Sequence, residues 1–385
     1  MGETVRKTYQ YRLLPTPEQA RALETVLQRC RTLYNVALEQ RTTWWQHGQG
    51  KGATYYQQKA ELPDLKAACP DYGEVNAQVL QDVILRVERT YQAFFRRLKN
   101  GETPGYPRFQ GKDRYHSFTY PQYGGGAVLD GGLLSLSKIG RISVRLHRPL
   151  EGTPKTVTIS QEADGWYVSF SCAEVPISPL PPTFRETGID VGLTVFLVTA
   201  EGEQVANPRH YRKSEKQLAK ANKRVSRRKK GSKRRAKAKQ QCGKKHQKVR
   251  RQRSDFPHKT ALALVRAYDV ISLDDLQVRN LVRNHHLAKS ISDAGWAAFR
   301  TILESKAAYA GKRVVAVPPA FTSQDCSGCG ARVPKTLSMR THVCPSCGLV
   351  LDRDENAARN IQGAGQALRG LAGVPAGTNR EAPAF

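Results

Sequence analysis

Two CxxCG pairs, Cys326 with Cys329 and Cys344 with Cys347, stand 14 residues apart, and this spacing restricts the fold of its segment more than any other feature of the chain. Each CxxCG turn sets two thiolates and its own turn amides around one ion, so two turns close a tetrahedral four-sulfur site with no open position. Zinc held in that way is structural. Its loss is expected to unfold about 30 residues that have too little core to stand alone. His342 lies beside Cys344, but four sulfurs already satisfy zinc, so it reads as a surface histidine. Cys30, Cys69, Cys172 and Cys242 are scattered and, with no secretion signal, read as reduced thiols.

Sixty-two Lys and Arg face 33 Asp and Glu, a formal net charge of +29. The surface field therefore favours a polyanion, and nucleic acid is the leading partner. A membrane is the rival for a basic chain. No apolar run approaches the roughly 20 residues that span a bilayer, and no charged-then-apolar signal opens the sequence. A soluble, cytoplasmic protein without a membrane partner is expected, with 385 residues sufficient for two or three domains.

The charge is concentrated in residues 212 to 253, which hold 21 Lys and Arg and a single acid, Glu215. Leu218, Val225 and Val249 are almost the only large apolar residues there. The Gly231–Ser232 step predicts two long basic helices joined near Gly231. The run lies between apolar strands rather than at a terminus, so Arg224, Arg227, Arg228, Lys229, Lys230, Lys233, Arg234 and Arg235 are assigned to nucleic-acid contact. Contacts of this kind fix register without reading sequence and make binding steeply salt-dependent.

Elsewhere the periodicity changes with position. Residues 8 to 13 alternate like a strand, and a helix begins after Thr16, with Leu23, Leu27, Leu33 and Tyr34 near helical spacing. A second helix over roughly 75 to 98 carries Val79, Val83, Val87 and Tyr91, giving a helical lobe of about 85 residues. Prolines at 104 and 107 end it, and short alternating segments predict a small β domain over about 105 to 180, which the first strand joins. KTVTIS and WYVSFSCAEV form a hairpin around the turn from Glu162 to Gly165. PISPLPPTF is a linker. TGIDVGLTVFLVTAEGEQV then predicts two strands around a Glu-Gly turn, FPHKTALALVRAY a short helix, DVISLDDL a strand, the stretch from ISDAGWAAF to Gly311 a helix, and RVVAVPP a strand.

Three acids stand out against the positive background. Asp190 lies inside an apolar, glycine-flanked strand, and a lone buried carboxylate costs several kcal/mol unless it is paired or binds a metal. Asp274 ends a later strand. Asp354 and Glu355 open the helix DENAARNI, where acids also complement the helix dipole. A ribonuclease-H-like fold brings together a carboxylate in its first strand, another at the end of a central strand and a third on a late helix, and uses them to bind two divalent ions for phosphodiester hydrolysis. Carboxylates and waters suit magnesium or manganese.

These motifs together resemble TnpB, the family of RNA-guided nucleases encoded by bacterial insertion sequences and related to type V CRISPR nucleases. The resemblance rests on RLLPTPEQ, RTLYN at 31 to 35, GYPRF at 105 to 109, GIDVG with Asp190, the basic helices, SISDAGW at 290 to 296, the CxxC pairs and DRDENAARNI at 352 to 361, and so covers nearly the whole chain. It implies an α+β multidomain protein: a wedge β-barrel from residues 1 to 15 and 104 to 182, a helical recognition lobe at 16 to 103 inserted within it, and a RuvC-like, ribonuclease-H-like α/β nuclease domain. The nuclease domain would occupy 183 to 320 with the basic hairpin 212 to 253, then a zinc-ribbon-like module at 321 to 350, a closing part at 351 to 364, and a tail of little order at 365 to 385.

The resemblance also implies partners and roles. The guide is an RNA from the element's right end, and the target is double-stranded DNA flanked by a short motif, with one protein chain per ribonucleoprotein. Pairing supplies most of the specificity, as a chain dominated by non-specific positive charge requires. Motif reading falls to Tyr55, Gln78, Gln81, Ser117 and Thr119. Asp190, Asp274 and Asp354 are the catalytic carboxylates holding magnesium or manganese, with Asp354 rather than Asp352 third. The family pattern has glutamate where this chain has Asp274, one methylene shorter, and a shift of about 1 Å in a catalytic constellation costs on the order of 100-fold in rate. A guide-dependent DNA-binding repressor with a weak or inactive nuclease centre is the alternative.

Overall fold

The computed structural model describes residues 3–47, 53–112, 114–336 and 339–372. Its contacts divide the chain into two compact units, Thr4–Pro176 and the chain from Ile177 onward.

The first unit opens with β1 (Thr4–Leu14), whose alternation buries Tyr9, Tyr11 and Leu13. Thr16 and Gln19 then form a capping box: the Gln19 N–H donates to Thr16 Oγ1 at 3.3 Å and the Thr16 N–H to Gln19 Oε1 at 3.0 Å. From it runs α1 (Pro17–His47), followed by α2 (Tyr55–Ala60), α3 (Leu62–Ala68) and α4 (Ala77–Lys99). Leu23, Leu27, Leu33, Val79, Val83 and Val87 are buried where α1 and α4 pack. The short α2 and α3 escape the sequence reading because neither is long enough to display a period.

The strands β2 (Ser117–Tyr120), β3 (Ala127–Asp130), β4 (Leu133–Leu136), β5 (Gly140–Arg145), β6 (Thr153–Glu162) and β7 (Gly165–Pro176) complete a seven-stranded antiparallel sheet in the order β2-β6-β7-β1-β5-β4-β3. The first strand thus joins the later β segment, between β5 and β7, and the helices are an insertion between β1 and β2. The expected hairpin is β6–β7, with Glu162 opposite Gly165. The loop over 121 to 126 joins the two edge strands, β2 and β3, and its ends bond to their neighbours, Tyr123 N–H donating to Lys155 O of β6 at 2.8 Å and Gly126 O accepting from Ser137 N–H just past β4 at 2.7 Å. The sheet therefore curls toward a barrel, although no ladder pairs β2 with β3 among the described residues.

The second unit carries β8 (Glu186–Val191), β9 (Val195–Thr199), β10 (Gln204–Ala206), α5 (His210–Ser226), α6 (Lys233–Ala267), β11 (Val270–Asp274), α7 (Val278–Leu281), α8 (His285–Ala294), α9 (Trp296–Tyr309), β12 (Arg313–Val317), β13 (Thr341–Val343), β14 (Val350–Asp352) and α10 (Arg353–Ala372). Its main sheet has the order β10-β9-β8-β11-β12. The pairs among β8, β9 and β10 are antiparallel, and those from β8 to β11 to β12 are parallel. One core holds Ile189, Phe196, Leu197, Leu264, Val265, Ile271, Leu273, Phe299 and Leu303. On the sheet lies α10, and two glycines let it approach. A Cβ on Gly188 would overlap Ala358 O and stand 2.5 Å from Gln362 N, and one on Gly365 would overlap the Ser272 side chain.

Several expectations are corrected. The GIDVG region holds three strands, not two, because the Glu201–Gly202 turn separates β9 from β10 while β8 and β9 are joined nearer Gly192. FPHKTALALVRAY is the end of the 35-residue α6, which carries Pro257 within it. The helix read across ISDAGWAAF is two, split at Gly295 with φ of 71°. The supposed tail from 365 is helical through Ala372: Gln366 Nε2 donates to Glu186 Oε2 at 3.4 Å and Arg369 pairs with the same carboxylate. Gly365 serves close packing against Ser272 rather than flexibility. The remainder of that tail lies outside the described residues.

Candidate metal centre and nucleic-acid interface

Parallel pairing of β8 with β11 matches Ile189 to Leu273. Asp190 and Asp274, each one residue further on, are therefore neighbours on the opposite face of the sheet from that pair. The alternate residue at the strand end, Asp275, is held by an ion pair with Arg300. Burial pushes the Asp190 carboxyl up to about 8, and the nearby charges of Asp354 and then Asp274 add to the effect. Burial also raises Asp274 to about 6, against the opposing hydrogen bond from Thr322 Oγ1 to its Oδ2 at 3.4 Å. Asp274 Oδ1 is buried and has no hydrogen-bond partner among the described residues. An orphaned carboxylate oxygen on the strand next to Asp190, whose own carboxyl feels both Asp274 and Asp354, fits a site for a hard cation.

Asp352 and Asp354 have different surroundings. Asp352 Oδ1 accepts from the N–H groups of Asp354 at 2.8 Å and Glu355 at 3.3 Å, so it caps α10. Asp354 is paired with Arg353 at 2.9 Å and with Arg340 at 3.4 Å. Arg340 also donates to Thr194 Oγ1 at 3.1 Å, in the turn after Asp190's strand. Asp354 is 14% exposed. Asp190 lies within reach of the charges of both Asp354 and Asp274, but the three form a looser group than the cysteines.

The four cysteine sulfurs lie within 4.8 Å of one another. Sγ of Cys326 is 3.6 Å from that of Cys347, and Sγ of Cys329 is 3.6 Å from that of Cys344. Zinc–sulfur bonds of 2.3 Å in a tetrahedron imply edges of about 3.8 Å, so the cage fits that ion. Gly330 and Gly348 close the two turns at φ of 76° and 74°, donating to Cys326 O at 2.8 Å and Cys344 O at 3.0 Å. His342 is fully buried rather than on the surface, with Nδ1 on Lys335 and Nε2 without a partner among the described residues. Alternation along β13 turns it inward while Thr341 and Val343 face out.

Two asparagines tie the cage to the carboxylates, and the sequence reading had no role for them. Asn356 Nδ2 donates to Asp325 O at 2.8 Å, and its Oδ1 accepts from Ser327 N–H at 2.9 Å. Asn360 Nδ2 reaches Thr322 O at 2.8 Å and Asp325 O at 2.7 Å. Their i, i+4 spacing on α10, in a motif that also carries Asp354, is the signal from which they could have been found.

The basic run is a hairpin of α5 and α6, broken at Gly231 with φ of 83° and restarted by Ser232, which caps α6. Arg224, Arg227, Arg228, Lys229, Lys230, Lys233 and Arg234 are exposed. Arg235 instead closes the turn, donating to Val225 O at 3.1 Å and Arg228 O at 2.7 Å. In the first unit, Tyr55 stands at the start of α2 and Gln81 lines a cleft of about 500 Å³ with Tyr56, Lys59 and Lys66. Gln78 donates to Gln122 at 3.2 Å. Ser117 O and Thr119 Oγ1 both accept from Arg86 at 2.7 Å, so those two side chains sit at an internal contact between α4 and β2.

Residues 169–285 match a family model described as "Probable transposase" (OrfB_IS605), and residues 296–361 one described as "Cas12f1-like, TNB domain". Residues 1–50 match a "Helix-turn-helix domain" model, although the structure there is one strand and one long helix. A Streptomyces pristinaespiralis protein named "Putative RNA-guided DNA endonuclease" is 38% identical over 376 residues, covering 95% of this chain and 91% of that protein. The similarly named InsQ of Escherichia coli K12 is 29% identical over 382 residues, covering 94% and 93%. The protein chain in the cryo-EM structure of a Cas12f1–sgRNA–target DNA complex shares the fold, with a TM-score of 0.55 at 14% identity over 93% of this chain and 99% of that one.

Proposed function

We propose that this chain, which belongs to the TnpB family of RNA-guided DNA endonucleases, cleaves double-stranded DNA beside a short flanking motif, directed by an RNA from the right end of its own element. The observation that carries the reading is the convergence of Asp190, Asp274 and Asp354 on a sheet ordered β10-β9-β8-β11-β12, antiparallel and then parallel, which supports a RuvC-like, ribonuclease-H-like centre. Magnesium or manganese bound there supplies a Lewis acid for water activation and for charge on the leaving oxygen.

The chain's own residues do the rest. Asp190 and Asp274 present neighbouring carboxylates from two strands, and Asp354 completes the set from a helix whose entry Asp352 caps. Arg340 and Arg353 offset the charge on Asp354 before a cation arrives. The basic hairpin holds phosphates without reading bases. Cys326, Cys329, Cys344 and Cys347 hold zinc as a structural ion, and Asn356 and Asn360 pass the rigidity of that cage to Thr322 and α10. The helical insertion and the curled sheet act as the recognition lobe and wedge.

A second reading, an RNA-guided DNA-binding repressor, is favoured by the short Asp274 side chain and by the ion pairs that engage Asp354. The test is a plasmid library with randomised flanks, treated with protein copurified with its right-end RNA in magnesium or EDTA. Magnesium-dependent cuts beside one enriched motif establish the nuclease. Binding to one motif without cuts establishes the repressor.

A further inference from the structure

Phe321 is a bulky side chain in a conformation that favours glycine. Its φ is 64°, which non-glycine residues rarely adopt, and such outliers gather at functional sites. Core packing does not require the ring, since Phe321 is 49% exposed. One face is covered by the Arg332 guanidinium, 3.6 Å from the ring centroid. Arg332 is itself committed, its Nε donating to Asp325 Oδ1 at 2.9 Å, so it backs the ring rather than waiting for a free anion.

The turn is rigid and joined to the carboxylate centre. Phe321 O accepts from the N–H groups of Gln324 at 2.8 Å and Asp325 at 3.0 Å. Asn356 and Asn360 clamp Asp325 O, and Asn360 also clamps Thr322 O, from the helix that carries Asp354. The very next side chain, Thr322, donates to Asp274. A strained, half-open aromatic ring is thus held one residue from a contact to a proposed metal ligand, in a chain built for nucleic acid.

We propose that the open face of Phe321, backed by Arg332, is a stacking platform for one nucleobase of the single-stranded DNA that enters the carboxylate centre. The assignment of that strand rests on the nuclease reading. Every base offers a π-face, so the platform holds any sequence, as an enzyme that leaves specificity to its guide requires. The cation on the far face strengthens the arrangement. Fixing a base there fixes the adjoining phosphate relative to Asp274.

The test uses the ribonucleoprotein, with calcium replacing magnesium, and single-stranded oligodeoxynucleotides carrying 2-aminopurine at successive positions. Quenching at one position is expected. Phe321→Gly should abolish it and weaken oligonucleotide binding about 10-fold, whereas Phe321→Trp should retain both. Glycine relieves the left-handed strain, so Phe321→Gly should melt no lower than the parent and its loss of stacking cannot be ascribed to misfolding. Absence of quenching at every position in the parent, or equal quenching in Phe321→Gly, overturns the platform. The fluorescence needs no cleavage. A parent that quenches but never cuts in magnesium therefore overturns the nuclease reading and keeps the platform, and one that cuts without quenching overturns the platform alone.

Discussion

Asp190 and Asp274 stand side by side on parallel strands, one residue past the Ile189–Leu273 pair, so the two carboxylates share a face and a local field. Asp190→Ala should lower guided cleavage by about 100-fold or more while guide and target binding persist. Cleavage assays run beside gel-shift titrations decide this. Unchanged cutting removes Asp190 from the centre. Asp274→Glu should retain activity, because the added methylene restores the family pattern.

The raised proton affinity of Asp190 has a thermodynamic consequence. A carboxyl near 3.8 in the unfolded chain and about 8 in the fold keeps its proton in the native state where the unfolded state has lost it. Its stabilising contribution is complete below pH 4 and disappears as pH rises to 8, by up to roughly 5 kcal/mol. Asp274 acts in the same direction up to about 6. Metal-free protein should therefore melt progressively lower between pH 5 and 8, and Asp190→Asn should flatten that slope and melt higher at pH 8. Parallel slopes for parent and variant exclude the linkage.

The cysteine cage should carry about one zinc per chain and resist mild chelation at neutral pH. Cys326→Ser should release the ion and expose the module to protease first, since few buried side chains support it. Through Asn360, Thr322 and Asp274 the damage should extend to cleavage while leaving the basic hairpin's salt-dependent binding intact. Metal analysis, limited proteolysis and filter binding read the three effects separately. Metal analysis that finds no zinc sinks the assignment.

Much of this was legible in sequence because it depends on local rules. The cysteine spacing, the helix start at Thr16, the β6–β7 turn and the Gly231 break each act within a few residues. Asp190 and Asp274 were legible as acids inside apolar strands, but their adjacency depends on β8 pairing with β11 across 83 residues, a register no local pattern encodes. Asn356 and Asn360 were hidden because their partners are backbone carbonyls in another segment. His342 was misread because burial in β13 is decided by the cage around it. The Gly-, Ala- and Pro-rich composition from 365 suggested a loose tail, whereas at Gly365 the helix needs a small residue to lie against Ser272.

That close approach gives the sharpest mechanical test of the centre. The Cβ of Gly188→Ala meets the backbone of α10 at Ala358 and Gln362, which cannot rotate away, so the helix must lift. Overpacking of this kind costs about 3 kcal/mol or more, and it should carry Asp354 away from Asp190 and reduce cleavage beyond the loss of folded protein. Gly365→Ala overlaps the Ser272 side chain and otherwise meets Val315 at an ordinary 3.8 Å, so the pair Gly365→Ala with Ser272→Gly should recover both melting temperature and cleavage. No substitution of a neighbouring side chain should rescue Gly188→Ala. If Gly188→Ala melts and cuts like the parent, α10 does not set the spacing of the carboxylates.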